Sequence, residues 1–441
     1  MPSTPNPITR LFRACDPNES FGPEDARYVN CDAERGTDVL RDFERDVRLT
    51  RSERPVMRLF AGHRGVGKTS ELIRLKRALE RPDEATGTRA FVVVFFDVDR
   101  SLDLNDLDLP DLLVAVAAEV QKQLREAKIP GFNATSEKLR AVWDGIKGAL
   151  PDGVTLKDAG VDAGFAELSV EFRNQPSRRQ ELRSKIEAYN TSLLDAVNDL
   201  LISARASARK TDREGVALLI DGLDKMPLRR VGADGPTTHE RLFVDRGSQL
   251  ASLQAHTIYT VPISLIYSPR IAAVQQVFGN TRPIPMIRLR SDGQGDVEPG
   301  TSGMLKMREL LAKRCGAAEV DPKDAFDDEN TISHLCKMSG GHPRQLMRFM
   351  QSAIRQLDKL PLTRAAVEKA IEEDGNTHLR GMPQDWWSKL RQFDEPQQHV
   401  PTDETHQEML YLLHIFEYMN GRPWYEVNPV LRTIPQFQRA G

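Results

Sequence analysis

Cysteine is scarce in this chain. Four residues in 441, Cys15, Cys31, Cys315 and Cys336, lie scattered with no CxxC pair and no metal-ligand spacing. A disulfide framework and a cysteine-built zinc site are not expected, and the thiols are expected to stay reduced. Long apolar runs are also missing. The longest candidates, Leu112 to Ala118 and Ile258 to Tyr267, fall well short of the ~20 residues a membrane-spanning helix needs. The start, Met1-Pro2-Ser3-Thr4-Pro5, lacks the apolar core of a signal peptide, so a cytoplasmic protein without a membrane partner is expected. Nor is there an excess of one charge: 61 Lys and Arg against 64 Asp and Glu give a formal net charge of −3. Nothing in that balance requires a nucleic-acid partner, and the interspersed signs read as a solvated surface. The length allows two to four domains.

What is present is one dense motif. Gly62-His63-Arg64-Gly65-Val66-Gly67-Lys68-Thr69 matches the phosphate-binding pattern G-x-x-x-x-G-K-[ST]. A short apolar run, Val56 to Ala61, precedes it as a buried strand would. Ser70 to Leu79 follows with apolar residues at helical spacing. Glycines let successive N–H groups turn inward around a phosphate chain, and the helix N-terminus adds positive dipole character. Gly62 through Ser70 are therefore candidate phosphate contacts. Lys68 is expected at the β- and γ-phosphates and the Thr69 hydroxyl on Mg²⁺, so the cofactors expected are ATP and Mg²⁺.

Other apolar runs have the length and β-rich character of buried parallel strands: Phe91 to Val98, Val216 to Asp221, Thr257 to Tyr267 with Pro262 bending or ending it, and Pro285 to Leu289. With the strand before the loop they make five. The fold class expected is α/β, a P-loop NTPase core with a five-stranded, mainly parallel sheet. Asp221 ends its strand and is followed by Gly222-Leu223-Asp224-Lys225. An Asp at a buried strand tip beside a phosphate loop is the expected Mg²⁺ partner, and Asp224 could orient the attacking water. Asp-Gly is also an ordinary turn signal.

The order of these motifs, with Tyr267-Ser268-Pro269-Arg270 after the third strand, resembles the STAND/AAA+ division of P-loop ATPases, including its origin-recognition-like members. The resemblance covers roughly residues 25 to 355. It implies that Ser268 and Arg270 act as a polar sensor of the γ-phosphate. Ser339-Gly340-Gly341-His342-Pro343-Arg344 resembles the Gly-x-Pro motif of STAND proteins and equally the Gly-x-x-Arg of origin-recognition ATPases. Gly341, Pro343 and Arg344 are thereby lid candidates, with Arg344 reading the nucleotide. Two departures stand out. Many AAA+ members have Glu after the Mg²⁺ Asp, where this chain has Gly222, and STAND proteins often have an acidic residue where Lys225 stands. Water-positioning then falls to Asp224 or to a residue the sequence does not single out, and slow or partner-stimulated hydrolysis is expected.

Residues 1–54 form an N-terminal segment in which Tyr28 and Val29 could line an adenine pocket, a simple packing role for Tyr28 being the alternative. Within a core of 55–300, residues 101–210 read as a long, largely helical insertion: helices at Leu107–Leu124, Leu139–Leu150 and Arg178–Ala208, and a half-buried strand at Phe165–Phe172. Residues 301–372 read as a helical lid, and 373–441 as a linker carrying Trp386-Trp387 and a winged-helix-like unit. That unit has a helix His406–Met419 and a turn at Asn420-Gly421. His334, Cys336 and His342 lack metal-ligand spacing and are assigned no chemistry. The resemblance implies an ATP-dependent switch that assembles with itself or a separate effector protein, in the manner of stand-alone bacterial ATPases of anti-phage defence. A DNA-binding loader or transposition regulator and a nucleotide-binding scaffold are the alternatives.

Overall fold

In the computed structural model the described residues are 5–130, 132–133, 136–150, 161–174, 179–232, 234–290 and 297–440. Five strands, β1 (Met57–Gly62), β2 (Val92–Asp97), β3 (Val216–Asp221), β4 (His256–Pro262) and β5 (Arg282–Ile284), form one sheet in the order β2-β3-β4-β1-β5. β2 runs parallel to β3, and β3 to β4. All six residues of β3 are buried, as an apolar run with both faces covered should be. This is the α/β fold expected, with one five-stranded sheet.

The chain divides into two compact units. One comprises Leu40–Ala61 and Arg74–Arg282. Its core packs sheet residues such as Leu59, Val94, Leu218 and Tyr259 with the inserted helices. Leu109–Glu126 starts at Asp108, which forms a capping box with Asp111. Glu137–Ala149 and Val161–Asn174 follow it. The strand expected at Phe165–Phe172 is part of the latter helix, because its buried positions, Phe165 with Leu168 and Ser169, recur at helical rather than alternating spacing. The long helix expected from Arg178 is two, Arg179–Glu187 and Asn190–Arg209; Arg178 itself lies outside the described residues.

The other unit comprises Met1–Val39, Gly62–Ile73 and Pro283–Gly441. Helices Ser302–Ala317, Glu329–Met338, Pro343–Ile354 and Arg364–Gly381 enclose Leu311, Leu335, Leu346, Phe349 and Val367. The N-terminal helix Pro7–Ala14 joins this core through Leu11, and Arg10 Nε donates to Ala318 O at 2.7 Å. The strand expected at Pro285–Leu289 is absent there; β5 ends at Ile284. Beyond it the backbone bonds to three other segments, Met286 N to Glu417 O, Ile287 N to Gly341 O and Arg288 N to Glu34 O. Trp386 and Trp387 sit buried on a short helix, Trp386–Arg391, in the stretch read as linker.

Near the C-terminus the helix Glu404–Tyr411 is shorter than expected. Leu413 has φ 64°, which ends the helical run, and the chain re-emerges as a hairpin. Strands β6 (Ile415–Asn420) and β7 (Arg422–Val427) pair antiparallel about the turn at Asn420-Gly421, as Asn-Gly predicts.

Candidate functional site

The phosphate-loop motif leaves β1 and enters the helix Lys68–Leu79. Gly62, Gly65 and Gly67 all have positive φ, 149°, 89° and 111°. At Gly65 a Cβ would come 2.8 Å from both Cβ and Cδ of Arg344, so only glycine combines that turn with that neighbour. Lys68 is 3 % exposed, and its Nζ donates to the carbonyls of Gly62 and His63, each at 2.8 Å. A buried ammonium folded back over its own loop, at the head of a 12-residue helix, is where a phosphate's negative charge is stabilised. Thr69 and Ser70 are partly buried on the first turn. The Ser70 hydroxyl accepts the Phe21 N–H at 3.0 Å.

The loop's side chains hold it to the rest of its unit. His63 is fully buried. Its Nε2 accepts the Glu417 N–H at 3.0 Å, which leaves the proton on Nδ1, 3.1 Å from Leu410 O. His342 has the other tautomer. Nδ1 accepts the Gln345 N–H at 3.0 Å as a helix cap, so Nε2 donates to Arg64 O at 2.9 Å. Burial keeps both rings neutral: the His63 pKa lies well below its usual value, further lowered by His342 and Lys68, and that of His342 falls to about 3. Phe416 on β6 lies edge-on to His63 and stacked on His342, each at 5.9 Å.

Pro343 opens the helix that His342 caps, and Arg344 Nε donates to Pro17 O at 3.1 Å. Arg35, 3 % exposed, donates to Val66 O at 2.7 Å and Pro285 O at 2.6 Å. Tyr28 shares its hydroxyl with the Glu71 carboxylate at 3.3 and 3.4 Å, and Val29 packs in the unit's apolar core. Of the lid candidates, Arg344 lies against the loop at Gly65, as do three residues that sequence reasoning left out: Arg35, Glu71 and His342. A buried Arg fixing a loop carbonyl has no local sequence signature.

In the sheet unit, Asp221 and Asp224 are 1 % and 7 % exposed. Asp97 ends β2 and is the direct register partner of Asp221. It was open to sequence reasoning, since it too closes an apolar run. Gly222 has φ 91°, and a Cβ there would meet Asp97 Oδ1 at 2.8 Å, so any other residue would be strained and would press on Asp97. Lys225 Nζ bonds Asp99 at 2.8 Å, and this bond with the Asp97 charge outweighs burial to raise its pKa.

β4 ends at Pro262, followed by a helical turn Ile263–Ile266, so Ser268 and Arg270 are not on the strand where the sensor was expected. Pro262 supplies no N–H to continue the ladder. The Ser268 hydroxyl donates to Glu240 at 2.5 Å and accepts the Arg270 N–H at 3.0 Å, while Arg270 Nη2 pairs with Asp245 at 2.7 Å. Burial raises the Glu240 carboxyl, but the bonds from Ser268 and Thr237 and the Arg270 charge bring it below its usual value.

Among the described residues no group of three or more His, Cys, Asp or Glu side chains could hold a metal ion.

No protein-family model matches the chain, and no curated protein matches it. Among solved structures, a chain in the structure of Drosophila ORC bound to DNA is similar at 11% identity and a TM-score of 0.41, covering 100% of this chain and 93% of that one. A Walker-type ATPase of Pyrococcus abyssi is similar at 15% identity and a TM-score of 0.43, covering 95% of this chain and 99% of that one. Neither likeness supports any of the roles assigned to individual residues.

Proposed function

We propose that the chain is an ATP-binding, Mg²⁺-dependent ATPase of the STAND/AAA+ type that works as a slow molecular switch. The observation that carries this reading is the loop itself: three glycines of positive φ, a buried Lys68 turned over their carbonyls, and a helix N-terminus directly behind. Backbone N–H groups of Gly65 to Thr69 cradle the phosphates, Lys68 reaches the β- and γ-oxygens, and Thr69 and Asp221 hold Mg²⁺. The metal, when bound, neutralises charge on the transferred phosphoryl group. Asp224 orients water, and Tyr28 and Val29 meet the base.

Slowness follows from Gly222, which brings no carboxylate to the position after Asp221 and whose φ of 91° disfavours one there. It also follows from Ser268 and Arg270, which must exchange Glu240 and Asp245 before they can answer to a γ-phosphate. Pro343 and Arg344, the latter against the loop, are the lid residues. In this reading nucleotide state governs assembly with a second copy or a separate effector, and a role in anti-phage defence is the biological setting the resemblance offers.

The test is ATP binding and hydrolysis by the full chain and Lys68→Ala, with light scattering, each with and without ATP and duplex DNA. Loss of binding in Lys68→Ala and ATP-dependent assembly indifferent to DNA are expected. Hydrolysis stimulated by DNA would replace the switch with a DNA-handling ATPase, and binding without turnover or assembly would replace it with a scaffold.

A further inference from the structure

The C-terminal hairpin walls a second cavity, of about 380 Å³, within the range of small-molecule sites. Its lining is mostly apolar, with polar groups concentrated in a few side chains. Tyr418 and Trp424 are cross-strand partners whose rings stack at 4.2 Å and 13°. Beside them Glu426, 6 % exposed, is held by Arg290 at 3.0 Å and Arg432 at 2.9 Å. Lys337 stands exposed at the rim. Arg432 also pairs with Asp394 at 2.9 Å, so three cations, Arg290, Arg432 and Lys337, answer two carboxylates and leave one positive charge in surplus. Apolar walls, aromatic rings and surplus positive charge ask for one kind of guest.

We propose that this cavity is a second ligand site, separate from the phosphate loop, that takes a small aromatic anion. Its place in the fold gives such a ligand a way to act. Tyr418 and Trp424 share a hairpin face with Phe416, the ring packed on His63 and His342. The Tyr418 hydroxyl donates to Gly340 O at 2.7 Å, in the turn that leads to His342. A ligand that shifts this face shifts the supports of the loop, and the coupling is reciprocal. The binding claim stands without the ATPase reading; the coupling claim rests on it.

The probe is 8-anilinonaphthalene-1-sulfonate, an aromatic anion that fluoresces when bound, titrated onto the full chain at saturating Mg-ATP. Saturable binding to one site per chain is expected. It should weaken at least tenfold in Lys337→Glu and be lost in Thr433→Trp, which fills the mouth. The uncharged N-phenyl-1-naphthylamine should bind at least tenfold more weakly. Binding unaffected by both cavity substitutions, displaced by ATP, or equal for the neutral dye overturns the site. For the coupling, the release rate of a fluorescent ATP analogue should change at least threefold when the dye saturates wild type and not in Thr433→Trp. An unchanged rate in wild type, with the dye bound, overturns the coupling alone. Absence of analogue binding would instead count against the ATPase reading and leave the dye result standing.

Discussion

Replacing His63 with Ala isolates the link between the phosphate loop and the C-terminal hairpin. The ring is fully buried and answers two backbone groups, accepting from Glu417 N and donating to Leu410 O. Alanine leaves both without a partner. A buried polar group stripped of its bond costs roughly 1–3 kcal/mol. Water entering the vacated space recovers part of this, so about 2–3 kcal/mol of local stability should go. At ~1.4 kcal/mol per decade, that is a ~30- to 150-fold rise in local opening. Hydrogen exchange at the Glu417 amide reads it directly, and residues on β3 serve as an internal reference that should not change. His63→Asn, with one amide donor and one acceptor, should recover part of the protection. A Glu417 amide that exchanges within threefold of wild type in a folded His63→Ala protein would refute the claim that this ring holds hairpin to loop.

Acid should loosen the same region. An unfolded histidine titrates near 6.5, whereas folded His342 titrates near 3. Between those values the unfolded chain holds a proton that the folded chain refuses. Stability is therefore complete above pH 6.5 and falls as pH drops, by about 2 kcal/mol at pH 5 for this residue. Melting temperatures measured from pH 7 to 4.5 should show a shallower slope in His342→Asn, which keeps a capping oxygen. Gly222→Glu, which supplies the acid related ATPases carry, should destabilise by about 1–3 kcal/mol through the positive φ and the contact with Asp97. Phosphate release should not rise, and a faster variant would overturn the account of slow turnover. Asp224→Asn should keep ATP affinity within a fewfold while turnover drops at least tenfold; equal turnover would remove Asp224 from the hydrolytic role.

Legibility tracked the range of the forces involved. The loop, its strand and its helix could be read because glycine positions, an apolar run and helical spacing lie within about twenty residues of one another. β3 and the Asn420-Gly421 turn were open for the same reason. The insertion was harder. Phe165 to Phe172 alternates well enough to pass for a strand, and only the helices around it decide which of its residues are buried. The supports of the loop were beyond reach. His63 meets a backbone amide 354 positions away and Arg35 a carbonyl 250 positions away, and in sequence each is one more polar residue. Pattern left open whether Pro262 bends the third strand or ends it, because an apolar run continues beyond it and periodicity does not record where a sheet stops.

The division of the chain has a bearing on how the protein is made. The boundary between the two units is crossed after Val39, Ala61, Ile73 and Arg282, so no single cut of the gene yields either unit as one continuous piece. On the ribosome, residues 1–39 and 62–73 emerge early but must wait for everything after 283 before their own core can close. The other unit ends at residue 282, two residues before the last strand of the sheet, β5, ends at Ile284. It can be buried and stable while the glycine loop is still without the partners that shape it. The final shape of the loop is then settled late in biosynthesis, and a chain truncated near its C-terminus would carry an intact motif without the hairpin that His63 and His342 pack against.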